Sequence, residues 1–372
     1  MKFYILSLNF IPSLTTVADV KGTGIRDSAS KGIVSGAWVS GNIIVGKRGV
    51  LLSLFNGFKK KSLLKKAIAL ENQGKNEEAL EILNEILNMD LEDANAWYNK
   101  GVIFGKLEMY QNALKCYNES LKLDSKYLKA LYNKGAVFEK MSRYDEAIEC
   151  YCEALKLDPT FSSAWNNMGN AFNNLEKYKK SIECYDKALN LDPNRFLLWY
   201  NKGNSFRMLE KYDEAIESYN NAINLNPKYK EAWLNKGITL DAIKKYNEAV
   251  ECYNKVLELN PEDQKAWNAK GIAYGILGKN QESMDCFNRL LELNPNESEA
   301  WQGKGVVFMQ LEKHEEALKC FKKALNLNSN NVKAEYGKAL ALKKLGKPEE
   351  ALKCYNTALK LDPKIDNIYY FR

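Results

Sequence analysis

The sequence repeats with a period of 34 residues from Lys60 to Ile365, without an insertion or a deletion. Self-similarity at a fixed period of this size is typical of solenoids and other repeat architectures, so it constrains the fold more than any single residue does. The copy at 196–229 shows the pattern most completely, with Trp199, Gly203, Phe206, Tyr212, Ala215, Tyr219, Ala222 and Pro227. Residues that recur at these positions belong to the repeat, and they do not indicate an active site.

The spacing within one copy predicts two helices. Trp199, Gly203 and Phe206 are four and three residues apart, so they share one helix face. After a turn near Glu210, the residues from Tyr212 to Ala222 mark one face of a second helix, at spacings of three, four and three, and a proline then ends it. The small glycine and alanine positions allow the two antiparallel helices to approach closely. One such pair is too short to bury its own apolar faces, so the pairs are expected to stack.

This order of residues resembles the tetratricopeptide repeat, which has the same period and the order Trp, Leu-Gly, Tyr, Ala, Phe and Pro. The resemblance covers residues 60–365 and implies an all-α fold, a right-handed α-solenoid of stacked antiparallel helix pairs. The nine repeats are predicted at 60–93, 94–127, 128–161, 162–195, 196–229, 230–263, 264–297, 298–331 and 332–365. The first copy has Leu63 in place of tryptophan, and the ninth has Glu335 and Ala339 in place of tryptophan and glycine, as expected of capping repeats.

A lysine stands before the repeat glycine, where the tetratricopeptide pattern has leucine. It occurs as Lys100, Lys134, Lys202, Lys236, Lys270 and Lys304. We expect each lysine stem to cover apolar surface while its ammonium group reaches water, and we do not interpret the row as a functional basic stripe.

The first 50 residues differ from the repeats, because they contain no glutamate and are rich in Gly, Ser, Thr and Val. We predict a non-helical, disordered or weakly structured N-terminal extension over 1–50, a repeat domain over 51–365 and a short C-terminal tail over 366–372. A membrane-seeking anchor and sequence upstream of the true start are alternatives for residues 1–50. The tail begins a tenth first helix and then stops, so we expect weak self-association through an incompletely covered C-terminal end.

Charge and cysteine usage narrow the classes of function. Residues 51–372 contain 48 Lys or Arg and 45 Asp or Glu, and a repeat domain with such balanced charge is a poor candidate for nucleic-acid binding. Seven of the eight cysteines occupy one repeat position, too far apart for disulfides. Free thiols favour a reducing compartment, so we predict a cytoplasmic protein. The single histidine, His314, has no clustered ligands, so we predict no metal and no cofactor.

The resemblance implies a concave groove that is lined by the first helices and receives partner peptides. Two residues after the tryptophan position, five consecutive repeats carry asparagine, and three more polar residues follow nearby. The predicted groove residues are Asn99, Asn133, Asn167, Asn201 and Asn235, with Asn170, Asn204 and Arg207. The row is similar to the asparagine ladder in the repeat domain of O-linked N-acetylglucosamine transferases, and such amides could pair with the backbone of an extended chain. The alternative is that asparagine is common at this position in the family and reflects solvation only.

Two further features of the groove follow from the repeat positions. The Asn170 position becomes Ile238, Ile272, Val306 and Leu340 in later repeats, so the groove should be polar in its middle and apolar towards the C-terminus. The carboxylate clamp of some family members has a lysine directly after the tryptophan position, where this chain has Tyr200, so we do not expect capture of a C-terminal carboxylate.

The combined pattern predicts a non-enzymatic protein–protein interaction scaffold that binds a partner peptide or helix in its concave groove. Two alternatives remain at this point. One is a regulatory or substrate-recruiting subunit of a separate enzyme, such as a glycosyltransferase. The other is a membrane-associated assembly factor anchored by the N-terminal segment. The leading prediction has a protein or peptide as its partner, and no nucleic acid, small-molecule substrate or membrane.

Overall fold

The computed structural model describes residues 42–364, with side chains from residue 57 onward. These residues form eighteen α-helices and no β-strand, as the repeat pattern predicts. The helices are α1 (Asn42–Asn72), α2 (Asn76–Met89), α3 (Ala94–Lys106), α4 (Tyr110–Leu123), α5 (Leu128–Lys140), α6 (Tyr144–Leu157), α7 (Ser162–Asn174), α8 (Tyr178–Leu191), α9 (Phe196–Met208), α10 (Tyr212–Leu225), α11 (Lys230–Ala242), α12 (Tyr246–Leu259), α13 (Gln264–Ile276), α14 (Asn280–Leu293), α15 (Ser298–Gln310), α16 (His314–Leu327), α17 (Val332–Lys344) and α18 (Pro348–Leu361).

Each predicted repeat from the second to the ninth contains one pair of these helices, the first contains the end of α1 and all of α2, and consecutive helices from α2 to α18 pack against each other. The all-α solenoid is therefore confirmed. Helix α1 begins at Asn42, nine residues before the predicted domain boundary at Leu51. This stretch contains no proline, and the residues after Gly49 are mostly good helix formers, so nothing in the local sequence ends the helix there. Residues 1–41, 365 and the tail at 366–372 lie outside the described range, and the predictions of an extension and of self-association remain predictions.

The turn between the two helices of a repeat depends on one residue in the left-handed conformation. Glu210 has φ 59°, and its neighbour Lys211 donates its backbone N–H to Phe206 O at 3.0 Å, which satisfies a carbonyl at the end of α9. The same φ region is used at Glu108, Ser142, Glu176, Lys244 and Glu312, and at Gly74, Gly278 and Gly346. The predicted turn near Glu210 is thus confirmed, and it makes the two helices antiparallel.

A buried aromatic ring on the second helix is the centre of each repeat from the second to the eighth. We call these rings the aromatic row, and each is at most 2% exposed. Its members are Tyr117, Tyr151, Tyr185, Tyr219, Tyr253, Phe287 and Phe321. The ring lies against the glycine of the first helix, so closely that a Cβ at Gly203 would stand 2.7 Å from Tyr219 Cε1. The small residue predicted at this position is therefore required by the close approach of the two helices.

The tryptophan and lysine of each first helix form a second repeated contact. Trp199 is partly buried, and its Nε1 donates to Pro193 O at 3.1 Å. Lys202 Nζ lies 5.2 Å from the centroid of the Trp199 ring, in the range of a cation–π interaction. Four other repeat lysines stand over the tryptophan of their own helix in the same way. The stems cover apolar surface as predicted, and each ammonium group adds an electrostatic contact with the ring.

All eight cysteines are free, and all except Cys152 are buried. Burial raises the pKa of Cys150 and Cys252 to about 11, so these thiols stay protonated and unreactive near neutral pH. The repeated cysteine therefore acts as a small apolar side chain beside the core, as the sequence pattern indicates.

The first helices line the inner side of the stack. Each first helix from α3 to α15 contacts the first helix of the next repeat, whereas successive second helices make no comparable contact within residues 42–364. Because the helices are closer together on that side, it forms the concave surface, and we call it the groove. The side chains on the exposed faces of the first helices are thus available to a ligand that lies along the groove.

Two glycines of α3 test the close approach directly. A Cβ at Gly101 would stand 2.7 Å from Tyr117 Cε1, whereas a Cβ at Gly105 would meet nothing nearer than 3.9 Å. We expect Gly101→Ala to lower the free energy of unfolding by about 1–3 kcal/mol through overpacking. Gly105→Ala should leave it unchanged or raise it by up to about 1 kcal/mol, because alanine favours the helix. Urea denaturation measures both, and a Gly101→Ala protein as stable as the Gly105→Ala control would contradict the packing.

Candidate functional site

The five predicted asparagines form a row along the groove, one on each first helix from α3 to α11. All five are partly buried. We call Asn99, Asn133, Asn167, Asn201 and Asn235 the asparagine row. Their alignment agrees with the sequence pattern, but their hydrogen bonds show a use that the pattern did not indicate.

The amide nitrogens of this row connect neighbouring repeats. Asn133 Nδ2 donates to the Tyr98 hydroxyl, 35 residues earlier, at 3.0 Å. The same bond joins Asn167 to Tyr132 and Asn235 to Tyr200, also at 3.0 Å. Asn201 donates instead to Asn166 Oδ1 and Asn170 Oδ1, at 3.4 and 3.2 Å. The amides of Asn167 and Asn201 thus bind side chains of the preceding repeat, which the sequence pattern did not predict.

The residue type of each aromatic-row ring, tyrosine or phenylalanine, correlates with the presence of asparagine in the next repeat. The asparagine position contacts the aromatic ring of the preceding repeat, and Asn167 Nδ2 also lies 3.4 Å from the Tyr151 hydroxyl. Where that ring is Phe287 or Phe321, the asparagine is replaced by Gly303 or Gly337. A Cβ at Gly303 would be 2.4 Å from Phe287 Cζ, so the ring occupies the space of a side chain there. Asparagine is thus retained after four of the five tyrosines, where a hydroxyl can use it.

Most side-chain oxygens of the asparagine row have no hydrogen-bond partner within the described residues. Asn133, Asn201 and Asn235 have no hydrogen bond to Oδ1 within the described residues, and these oxygens are not among the buried unpaired atoms. Asn167 Oδ1 accepts from Asn166 Nδ2 at 2.9 Å, and Asn99 bonds only the backbone of its own helix. The row therefore offers spaced hydrogen-bond acceptors to the groove, while its donors hold the repeats together.

The tyrosine hydroxyls extend from the core to the floor of the groove. Tyr185 donates to Asn170 Oδ1 and Tyr219 donates to Asn204 Oδ1, both at 2.8 Å. Asn204 is only 6% exposed, and its oxygen also accepts from Asn235 Nδ2 at 2.9 Å. Among the predicted groove residues, Asn204 therefore belongs to the layer beneath the surface, whereas Asn170 is partly exposed.

Arg207 was predicted as a groove residue, but the row to which it belongs was not recognised, although its members are spaced by the same 34 residues. Residues at the Arg207 position in the neighbouring repeats are Glu139, Asn173 and Asp241, and we call these four the Arg207 row. Glu139 Oε2 accepts from the Tyr151 hydroxyl at 3.0 Å, and Asp241 accepts from Tyr253. Asn173 donates to Ser205 at 2.7 Å. Along the row the side chains are acidic, neutral, basic and acidic in turn, with one acid at each end.

Burial changes the protonation of the two acids in this row. It raises the pKa of Glu139 to about 7 and that of Asp241 to about 6, against a smaller lowering by the tyrosine hydrogen bonds. Asp241 is therefore mostly charged at neutral pH, and Glu139 is near its midpoint. The row carries groups whose charge a bound ligand can stabilise.

From the sixth repeat onward, the surface of the groove is apolar only in part. Ile238 and Ile272 are 39% and 46% exposed, and Ile276 is 41% exposed, so they form an accessible apolar stripe. Val306 is only 8% exposed and does not contribute to it. The predicted change from polar to apolar surface is thus present at α11 and α13, but it does not continue to α15 through Val306.

A polar cavity of about 580 Å³ opens beside the first turns of α11 and α13. Two of its lining pairs are already satisfied: Lys230 Nζ lies 2.8 Å from Asp263 Oδ2, and Asn268 donates to Glu299 at 3.0 Å. A ligand there would have to displace these contacts, so the cavity is a weaker candidate than the groove.

Residues 42–364 contain neither a candidate metal site nor a candidate membrane span. That range has no group of three or more His, Cys, Asp or Glu side chains placed to hold a metal ion. None of the helices described there combines the length and the apolar composition that crossing a membrane requires.

The contribution of the asparagine row to the free energy of unfolding can be measured by removing its hydrogen bonds. Asn235→Ala removes the bonds to Tyr200 and Asn204, so the free energy of unfolding should fall by about 1–2 kcal/mol. Asn99→Ala is the matched control, because Asn99 bonds only its own helix, and it should change stability by about 0.5 kcal/mol or less. Denaturant titration followed by circular dichroism compares the two. Equal stability of both variants would show that the row does not brace the repeats.

Comparisons with known proteins agree with the repeat pattern. A family model described as the tetratricopeptide repeat matches residues 94–127, 128–161, 162–195, 196–229, 231–263, 298–331 and 332–365. Two further models with the same description match 61–89 and 252–285. A comparison with curated proteins gives no match.

Several solved structures are similar in fold. The C-terminal part of a tetratricopeptide repeat-containing protein from Cytophaga hutchinsonii is 18% identical, covers 64% of this chain and 98% of its own, and has a TM-score of 0.57. The protein pilF of Pseudomonas aeruginosa is 20% identical over 57% of this chain and 96% of its own, with a TM-score of 0.50. A repeat protein from Parabacteroides merdae is 18% identical over 67% and 98%, with a TM-score of 0.50. These likenesses show the fold alone, and it is the family models that establish membership: the chain belongs to the tetratricopeptide repeat family.

Proposed function

We propose that this protein is a non-enzymatic interaction scaffold that binds a peptide segment of a partner protein in the groove of its first helices. Tetratricopeptide repeat proteins are generally interaction scaffolds, and membership of the family supports that broad function. The observation that carries the finer proposal is the row of side-chain oxygens at Asn133, Asn201 and Asn235. These acceptors face the groove at intervals of one or two repeats and have no partner within the described residues.

An extended peptide matches this arrangement. Its backbone N–H groups have no internal partners, so they can donate to a line of acceptors irrespective of side-chain identity. The exposed stripe of Ile238, Ile272 and Ile276 lies on α11, which also carries Asn235, and on α13, and it would bind apolar side chains of the same segment. Polar and apolar surfaces are thus available to one ligand along the groove.

A second mode of binding is favoured by the stripe alone. An amphipathic helix could lay its apolar face on Ile238, Ile272 and Ile276 without using the asparagine row. No observation favours the enzyme-subunit or membrane-anchored alternatives. We propose a cytoplasmic location, which the free buried thiols support because they need no oxidising compartment.

The proposal is tested with a partner isolated from native extract by affinity capture and identified by mass spectrometry. Its affinity is then measured by calorimetry against wild type and two double variants. Ile238→Glu with Ile272→Glu changes the groove, whereas Leu225→Glu with Leu259→Glu changes second helices at residues of similar exposure, about 40%. We expect the groove variant to lose at least about tenfold in affinity, because each glutamate places a charge where apolar surface is buried.

The second-helix variant is the control, and its affinity should stay within about twofold of wild type. Both variants should keep the wild-type circular dichroism spectrum, since all four positions are exposed. Loss of binding in the second-helix variant alone would place the interaction outside the groove and overturn the proposal.

A further inference from the structure

We propose that the groove recognises a peptide segment in which an acidic and a basic side chain stand three residues apart, the acidic one on Arg207 and the basic one on Asp241. This inference rests on the proposed function and specifies the ligand of the same groove. It follows from two buried polar atoms that the fold leaves without a partner.

Arg207 is a cation without a carboxylate partner among the described residues; the acceptor nearest to its guanidinium group is the Tyr219 hydroxyl, whose burial-raised pKa it lowers. The Nε of Arg207 is buried and has no hydrogen bond, and the residue makes no ion pair with any carboxylate of the described range. The ionisable groups on which its charge acts are tyrosines: burial raises the pKa of Tyr178, Tyr200 and Tyr219, and the positive charge of Arg207 opposes that rise. A buried donor without a partner is unfavourable, and a charged acceptor brought by a ligand would relieve that cost.

Asp241, one repeat further along, has an unpaired acceptor where Arg207 has an unpaired donor. Its Oδ2 accepts from the Tyr253 hydroxyl, but its Oδ1 is buried without a hydrogen bond. Arg207 and Asp241 occupy the same position of adjacent repeats, on α9 and α11, and yet they do not form an ion pair with each other. Each is therefore left to bind a group from outside the chain.

The tyrosine hydroxyls explain why the two residues differ. In the repeats of Glu139 and Asp241, the hydroxyl of the aromatic-row tyrosine donates a hydrogen bond to the carboxylate of that acid. Arginine has no acceptor, so in its repeat Tyr219 donates to Asn204 instead, at 2.8 Å. Because Asn204 accepts the hydrogen bond of Tyr219, no acceptor is needed at position 207, and a cation can occupy it. The order of charges in the Arg207 row is thus matched to the tyrosine hydrogen bonds beneath the groove.

The spacing of the ligand follows from the packing of the helices. Successive first helices contact each other, and packed helix axes are about 8–10 Å apart. A polyproline II segment has three residues per turn and rises about 3.1 Å per residue, so side chains three residues apart lie on one face about 9 Å apart. The acidic and basic side chains can therefore reach Arg207 and Asp241 together, in either direction of the chain.

A displayed library of random decapeptides is selected on the full-length protein to test this inference. Wild type should enrich peptides with an acidic and a basic residue three positions apart. Arg207→Gln should lose the acidic preference and keep the basic one, and Asp241→Asn should do the reverse. For the best single peptide, Arg207→Gln should weaken binding by about 10- to 100-fold, as loss of a charge-assisted hydrogen bond does. Its melting midpoint should fall by little, because Arg207 Nε has no bond to lose and the Tyr219 hydroxyl keeps its hydrogen bond to Asn204.

The exchange variant Arg207→Glu with Asp241→Lys is the decisive arm, since it should retain both preferences, with the basic side chain of the peptide now at position 207 and the acidic one at position 241. Selection of peptides without any charge pattern, with binding lost in Ile238→Glu with Ile272→Glu, would overturn this inference and leave the proposed function standing. Failure to enrich any peptide, or enrichment unaffected by that groove variant, would count against the inference and the peptide-binding function together.

Discussion

The structure depends on the contact between an aromatic ring of each second helix and the glycine of its own first helix. Tyr219 meets Gly203 so closely that there is no room for a Cβ between them, and the same contact recurs along the aromatic row. The ring also touches the first helix of the next repeat, as Gly303 and Phe287 show. One side chain therefore joins the two helices of a repeat and connects that repeat to its neighbour, which is why the solenoid is continuous.

The same rings determine the chemistry of the groove. Five of them are tyrosines, and the hydroxyls of Tyr151, Tyr185, Tyr219 and Tyr253 are bonded to side chains on the first helices. The last two of the row, Phe287 and Phe321, have no hydroxyl and need no acceptor above them. The asparagine position is accordingly polar after Tyr117, Tyr151, Tyr185 and Tyr219, and it is a glycine after each of the two phenylalanines. Core composition and binding surface are thus coupled through the hydroxyl groups.

Much of the fold could be predicted from the sequence because it depends on position within the repeat. The helix pairs, the turn at Glu210, the small residue at Gly203 and the lysine stems each follow from spacing or side-chain size. The asparagine row was located correctly, but its hydrogen bonds were not predicted. Its partner, such as Tyr200 for Asn235, lies 35 residues earlier, and only the rotation between stacked repeats brings the two together. The Arg207 row was visible at the same period, and it was missed because its residue type changes from repeat to repeat.

The central claim is that the ring holds the fold together while the hydroxyl organises the groove. Chemical denaturation of Tyr219→Phe and Tyr219→Ala tests this most directly. Phenylalanine keeps the ring, as it does naturally at Phe287, so the free energy of unfolding should fall by only about 1 kcal/mol for the lost hydrogen bond. Alanine removes the ring, and the loss should be about 3–5 kcal/mol. Equal losses in the two variants would contradict the account, because the ring would then contribute nothing beyond its hydroxyl.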